Sequence, residues 1–323
     1  MCNFKIVVCA ALCTVSMLAI VNPSRANEPI PSEIMPLALS AQINDLAVSD
    51  NVEIGVGERG IILRRVGRGA WQQIQSPVSS LLNAVFLIGK KGWAVGHDAV
   101  ILMTQDAGLS WTIAQRNAEL QKPFLDIHFT DEKIGFAVGA FGLFMNSIDG
   151  GKTWRTVQVE EFLDLPPHLN AIRELNDKSL LIVGEMGTVA HSTDGQKWHV
   201  SNVSYEGSIF TIVPAGKKGA VVGGMRGNTF FTQNPAMSPW QSLDLGSTKS
   251  VYGGDRSGSG DVYLAAGNEI FRLRKNDGQV RINRLPVDWL GDAGDAGGIT
   301  TLLVSADEIV VGTYSGVRSF LMP

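Results

Sequence analysis

The stretch Gly135-Phe136-Ala137-Val138-Gly139-Ala140-Phe141-Gly142-Leu143-Phe144-Met145-Asn146-Ser147-Ile148-Asp149-Gly150-Gly151-Lys152-Thr153-Trp154 holds the unit that organises this chain. An apolar run ends on Val-Gly, a tight turn follows in which glycine supplies positive φ, and a second run leads into Ser-x-Asp-x-Gly-x-x-Trp. Outward from it, Trp71, Trp111, Trp154 and Trp198 recur 40, 43 and 44 residues apart, and Trp240 follows 42 later. Val/Ala-Gly steps recur in parallel at Val56-Gly57, Val95-Gly96, Val138-Gly139, Val183-Gly184, Val222-Gly223, Ala266-Gly267 and Val311-Gly312. A period in the low forties is the length of four short strands and their turns.

Each unit opens on a run that alternates with the period of a half-buried strand, such as Leu82-Asn83-Ala84-Val85-Phe86 or Leu125-Asp126-Ile127-His128-Phe129. No segment beyond the amino terminus sustains a helical period. The predicted fold is therefore all-β, a seven-bladed β-propeller of four-stranded blades. The last unit, 299–321, has about half the length of the others. The ring is accordingly expected to close by pairing of an N-terminal strand, Met35 to Ala41, with the final blade. The domain reading is 1–26 signal peptide, 27–42 extended lead-in and closing strand, and 43–323 propeller.

Two units carry the full Asp box: Thr104, Asp106, Gly108, Trp111, and Ser147, Asp149, Gly151, Trp154. A third, Ser192, Asp194, Trp198, is one residue short, and a fourth, Thr232, Asn234, Trp240, is one residue long. An aspartate there can accept backbone N–H bonds inside its own turn, so these residues read as structural and none as catalytic.

Lys5, the apolar run from Ile6 to Val21, Pro23 and Ser24-Arg25-Ala26 read as a secretory signal peptide cleaved after Ala26. Cys2, Cys9 and Cys13 all lie inside it, leaving the mature chain without a disulfide. Cys9 follows Val8 and Cys13 follows Leu12, which departs from a lipoprotein signal, so a soluble periplasmic product is expected. Loss of Lys5 and Arg25 moves the net charge from −4 to −6, which argues against nucleic acid as a partner. His97, His128, His168, His191 and His199 form no spaced ligand cluster, so no metal is expected, and no phosphate loop or nucleophile elbow suggests a cofactor or an acyl transfer.

The paired Asp boxes, the Val-Gly-x-x-Gly turns and the phrase Gly135 to Gly139 leading into Ser147 to Trp154 resemble the photosystem II stability and assembly factor family, across about residues 40 to 321. The resemblance implies a lumenal or periplasmic propeller that binds a newly inserted membrane subunit and catalyses nothing. The cyanobacterial members are characterised by arginine-rich surface patches, and this chain has no comparable run. An Asp-box propeller that binds or hydrolyses a glycan is the alternative. Against it, the arginine-bearing motif that precedes the first Asp box in sialidases is absent, and of Tyr205, Tyr252, Tyr263 and Tyr314 only Tyr314 sits at a turn facing the mouth.

In a propeller the turns between second and third strands share one face with the connections between blades, opposite the Asp-box turns. Their tips break the repeat in charge and size, as a recognition surface made of loops requires. The expected partner-binding residues are Arg59, His97, Phe141, Glu185, Met186, Arg226, Glu269, Trp289 and Tyr314. The connections Val159 to Leu169 and Leu285 to Gly298 mix carboxylates with apolar side chains and would overhang this face, as docking elements or as lids. The expected partner is a membrane protein complex or its periplasmic segment, met by a monomer with no small-molecule substrate.

Overall fold

In the computed structural model, residues 28–276, 279–286 and 298–322 are described. The predicted signal peptide, Trp289 and most of the second overhanging connection lie outside them. The architecture is seven antiparallel sheets, each a simple meander. Blade 1 is β1 to β4 (Ile43–Ser49, Val52–Gly57, Ile62–Val66, Gln72–Ile74) and blade 2 is β5 to β8 (Leu82–Ile88, Lys91–Gly96, Ile101–Thr104, Thr112–Gln115). Blade 3 is β9 to β12 (Phe124–Phe129, Gly135–Gly139, Phe144–Ser147, Arg155–Thr156) and blade 4 is β13 to β16 (Leu169–Glu174, Leu180–Gly184, Thr188–Ser192, His199–Asn202). Blade 5 is β17 to β20 (Ile209–Ala215, Gly219–Gly224, Thr229–Thr232, Gln241–Leu243) and blade 6 is β21 to β24 (Val251–Arg256, Val262–Ala266, Glu269–Asn276, Gln279–Arg284). Blade 7 has three strands, β25 to β27 (Ile299–Val304, Glu308–Thr313, Gly316–Leu321). The seven-bladed, all-β reading of the sequence therefore holds.

Strand register gives the strand-ending glycines a physical reason. Gly57, Gly96, Gly139, Gly184 and Gly224 pair with the first residue of the inner strand, and a Cβ on any of them would strike the carbonyl before that strand, at 1.9 to 2.3 Å. The same carbonyl accepts the next N–H, for example Glu58 N to Gln42 O and Met225 N to Ser208 O. By this register the equivalent positions in the last three blades are Gly224, Ala266 and Thr313. The steps read from sequence as Val222-Gly223, Ala266-Gly267 and Val311-Gly312 are thus one residue out of phase, because neighbouring glycines offered a false match.

Each blade buries one face of its sheet against the next. Trp93 is fully buried and stacks on Phe129 at 3.5 Å, while Trp111 and Trp198 are 6% and 8% exposed. Trp71, Trp154 and Trp240 are only partly buried, so the repeat tryptophan is a rim residue in three of its five occurrences.

The expected N-terminal closing strand does not form. Ala38–Ser40 is a single turn of 3-10 helix, and the last sheet keeps its three strands. The segment still lies at the seam, where Ala38 and Ala41 pack with Ile43, Val310 and Val317, and Leu39 crosses so closely over Gly316 that a Cβ there would lie 2.1 Å from its carbonyl. Closure comes from side chains between blades 1 and 7. Arg65, 5% exposed, bonds Glu53 of its own sheet, Glu308 at 3.0 Å and the Ser319 hydroxyl at 3.0 Å, with Trp71 against its guanidinium at 5.0 Å. Thr300 also donates to the Ile43 carbonyl, and Arg68 pairs with Asp307.

Candidate functional site: the turn-tip face and the axial channel

Every inner strand is irregular after its first residue, and the extra residue is Asn44, Asn83, Leu125, Asn170, Phe210, Tyr252 or Thr300. Four of the seven clamp the ring. Asn44, Asn83 and Asn170 donate side-chain N–H bonds of 2.6 to 2.9 Å to the first carbonyl of the next blade's inner strand, and Thr300 does the same across the seam. Leu125, Phe210 and Tyr252 cannot make that bond. They put apolar surface at the mouth of the axial channel instead, with Phe210 and Tyr252 stacked at 5.0 Å and Tyr314 lining the same opening. The repeated phrase Leu-Asn-Ala at 82–84 and 169–171 was the sequence signal for the clamp, and its breaks at 125, 210 and 252 were the signal for the mouth.

The channel has a volume of about 500 Å³ and is charged within. Arg173 pairs with Asp126, faces Asp45 and Asp255, and keeps 33% of its side chain open to the lumen. The carboxylates are employed in packing the ring. Asp45 accepts Val85 N at 2.9 Å and the Thr301 hydroxyl at 3.2 Å, Asp126 accepts Ile172 N at 2.8 Å, and Asp255 accepts Val304 N at 2.8 Å. Burial is the largest influence on all three and pushes their carboxyls up, Asp45 to about 6, while Arg173 draws them partly back. His128, wedged against Phe86 at 4.6 Å, accepts Glu174 N at 3.2 Å, and burial lowers it to about 3, helped by Arg173 and Lys178.

Around this mouth stand the turn tips. Arg59, Asp98, Phe141, Met186 and Arg226 each adopt a left-handed backbone, φ 53° to 59°. For non-glycine residues that conformation costs about 1 kcal/mol or more, and it places two arginines, an aspartate, a phenylalanine and a methionine at the tips of one face. Arg59, His97 and Arg226 are exposed, and Phe141 and Met186 are 50% and 42% exposed. Phe141 meets the His168 ring edge-on at 4.5 Å, and His168 N donates to Glu185. Met186, Tyr205, Met225 and Arg226 line a groove between blades 4 and 5, where the Tyr205 hydroxyl donates to Met225 O. In the first overhanging connection Val159 and Phe162 are buried in the core, lid-like, while Leu163 and Leu165 are 61% and 66% exposed. Exposed apolar side chains therefore run in an arc from blade 3 through Met186 and Met225 to Tyr252 and Tyr314, which are 42% and 48% exposed.

One expected member does not join the arc. Glu269 is 8% exposed and turned inward, bonded to the Ser247 hydroxyl at 2.6 Å and paired with Arg284 at 2.8 Å. Trp289 is outside the described residues. Among the described residues no group of three His, Cys, Asp or Glu is placed to hold a metal ion.

On the opposite face the Asp boxes are closed turns. Thr104 Oγ1 accepts Gly108 N at 3.0 Å, and Asp106 accepts the N–H and hydroxyl of Ser110 at 2.9 and 2.6 Å. Ser147 and Asp149 repeat the arrangement with Gly151 and Thr153, and the Thr153 hydroxyl and N–H hold Asp149 down to about 2. In the short third box Asp194 takes Gln196 N and Lys197 N, both at 2.8 Å.

The family model described as Photosynthesis system II assembly factor YCF48 matches residues 63–281. "Photosystem II assembly lipoprotein Ycf48" of Synechococcus sp. (strain CC9902) is 26% identical, over 83% of this chain and 85% of the relative. "Photosystem II stability/assembly factor HCF136, chloroplastic" of Arabidopsis thaliana is 24% identical, over 87% of this chain and 67% of the relative. Among solved structures, "YCF48 bound to D1 peptide" superposes with a TM-score of 0.69 at 18% identity, covering 92% of this chain and 97% of that one. Virginiamycin B lyase from Staphylococcus aureus superposes with a TM-score of 0.72 at 10% identity, covering 91% and 98%, so the fold alone does not distinguish a binder from an enzyme. The family model covers more than half of the chain: this chain belongs to the Ycf48 family of photosystem II assembly factors.

Proposed function

We propose that this protein is an extracytoplasmic, non-enzymatic docking factor that holds an exposed segment of a membrane protein complex during its assembly, and that it does so with the turn-tip face. The observation that carries the reading is the arc formed by Phe141, Met186, Met225, Tyr252 and Tyr314. Its members are exposed, aromatic or thioether in character, and two of them, Phe141 and Met186, are held in left-handed backbone. Aromatic and methionine side chains on a rigid scaffold are the anchors protein interfaces favour, and methionine adapts to an irregular partner. Arg59, His97, Glu185 and Arg226 supply the polar rim.

Two further considerations support it. The relatives are named as assembly factors, and one solved relative is YCF48 bound to a D1 peptide. The channel carboxylates are committed to the ring's own backbone, which leaves them poorly placed for hydrolysis. A cleaved signal peptide ending at Ala26 would deliver the chain to the compartment where such a segment is exposed. The test is capture from native membranes by the tagged full-length protein, with the variant Phe141→Ser, Met186→Ser, Tyr252→Ser as control. A defined membrane complex that is recovered by the wild type and lost by the folded variant supports the proposal. Equal recovery by both removes this face from the account.

A further inference from the structure

Among the described residues, methionine is exposed at three positions. Met186, Met225 and Met237 are 42%, 37% and 86% exposed, whereas Met35, Met103, Met145 and Met322 are half-buried. The Met145 sulfur accepts the Gln115 amide at 3.2 Å and the Met322 sulfur the Tyr263 hydroxyl at 3.6 Å. Two of the three exposed thioethers meet in one groove. Met186 stands on the turn after β14 and Met225 on the turn after β18, and both line the groove between blades 4 and 5 with Tyr205, Arg226 and Asn228. Met237 lies apart, in the long box turn between β19 and β20 on the opposite face.

The backbone beneath the paired thioethers is fixed. Met225 O accepts the Tyr205 hydroxyl at 3.2 Å, Asn228 Nδ2 at 2.8 Å and Asn228 N at 3.1 Å, and Met225 N donates to Ser208 O at 2.9 Å. Around Met186, with its φ of 54°, Gly187 N donates to Gly207 O and Thr188 N to Glu185 O, both at 2.9 Å. A chemical change at sulfur therefore alters the polarity of the groove and leaves its frame in place. Among the described residues the Arg226 guanidinium makes no hydrogen bond or ion pair, so a strong donor is free in the same groove.

We propose that Met186 and Met225 form a peroxide-sensitive modification site whose oxidation to sulfoxide releases the client. Each sulfur gives a lone pair to one oxygen of hydrogen peroxide, and the O–O bond breaks as the S–O bond forms. The departing hydroxide takes the proton from the new S–OH and leaves as water, so sulfur is oxidised and the peroxide reduced. A flexible apolar side chain becomes a polar one, which removes two anchors from the arc. The sulfoxide oxygen accepts from Arg226 and draws that arginine away from the polar rim. A sulfoxide reductase supplied with a dithiol restores the thioether, the oxygen leaving as water and the thiols closing to a disulfide. Because the groove is part of the turn-tip face, the switch rests on that face's docking role.

The experiment treats the tagged full-length protein with hydrogen peroxide, removes the peroxide with catalase, maps the methionines by peptide mass spectrometry, and compares capture from native membranes before and after. Met186 and Met225 should gain one oxygen each ahead of the half-buried methionines, and capture should fall about tenfold. Sulfoxide reductases acting on both epimers, with dithiothreitol, should restore it. Met237→Leu should lose capture on treatment as the wild type does, whereas in Met186→Leu, Met225→Leu the ratio of treated to untreated capture should stay near one. Oxidation of the half-buried methionines first, undiminished capture by protein oxidised at both positions, or the same fractional loss in the leucine variant would each overturn the proposal. Untreated wild type that captures nothing overturns the docking reading and the release step with it, and the mass spectrum separates that failure from a failure of the oxidation site.

Discussion

Replacing Arg65 with alanine should open the ring at the seam between blades 1 and 7. Its guanidinium is 5% exposed and serves Glu53 and Glu308, themselves 15% and 12% exposed, so truncation strands two carboxylates in a place water barely reaches. Removing one partner of a buried ion pair costs about 3–5 kcal/mol, because the remaining charge is uncompensated. Loss of the stacking on Trp71 adds to this. An unfolding entropy of ~2.1 cal/mol/K per residue gives about 0.6 kcal/mol/K for a ring of roughly 290 residues, so the melting temperature should fall by about 5–8 °C. Differential scanning calorimetry measures the shift. Hydrogen exchange should place the earliest loss of protection in β1, β3 and β26 rather than in blades 3 and 4. The companion variant Glu53→Gln, Arg65→Met, Glu308→Gln removes all three charges and should recover most of the loss, since an apolar replacement spares the desolvation cost. A shift below about 1 °C for Arg65→Ala, or protection lost evenly around the ring, would refute the view that this cluster replaces a shared strand as the closure.

Three other perturbations follow from the same geometry. Trp93→Ala should cost about 3–5 kcal/mol in chemical denaturation as a fully buried truncation, whereas Trp154→Ala, partly exposed, should cost less; the reverse order would contradict the packing described. Phe141→Gly should leave stability equal or raised by about 1 kcal/mol, by relieving φ 53°, while abolishing client capture; a destabilised variant would mean the tip is a packing residue. In pH titrations of stability, His128 and Asp45 pull in opposite senses. His128, lowered to about 3 in the fold, contributes stability present above pH 6.5 and lost as pH falls toward 3, so His128→Gln should flatten that acid slope. Asp45, raised to about 6, contributes stability that is fully present below 3.8 and lost as pH rises through 6. Asp45→Asn should therefore stabilise the protein above pH 6, by up to about 3 kcal/mol, with little effect near pH 4. Parallel curves for wild type and variants would refute either assignment.

How much of this was legible in the sequence depended on range. The Asp boxes and the Val-Gly turns are local, each closed by bonds within a few residues, and they read correctly as turns. The blade count followed from their period. The inter-blade register did not: Gly224 and Ala266 are fixed by pairing with Ile209 and Val251, and nearby glycines misled the alignment by one residue. Closure was misread because a short last unit suggests a missing strand, whereas Arg65 meets Glu308 and Ser319, each more than two hundred residues away from it in the chain, at the seam. The channel was invisible for the same reason, since Arg173 gathers Asp45, Asp126 and Asp255 from three other blades. At the candidate site the tips Arg59, Phe141, Met186 and Arg226 were legible because turn chemistry is local. Glu269 was not, because its inward bonds to Ser247 and Arg284 are tertiary. Tyr252 and Phe210 were missed because their meaning lies in what they replace, an asparagine clamp recognisable only once the inner strands are superposed.

The most direct test of the docking face is site-specific photocrosslinking in the native envelope. A photoreactive residue would replace Tyr252 or Met186 on the turn-tip face, and Ile148 or Leu109, 61% and 58% exposed on the Asp-box face, would serve as matched controls. The account expects one membrane complex to be trapped from both turn-tip positions and from neither control. Trapping of that complex from Ile148 and Leu109, with none from Tyr252 and Met186, would contradict it.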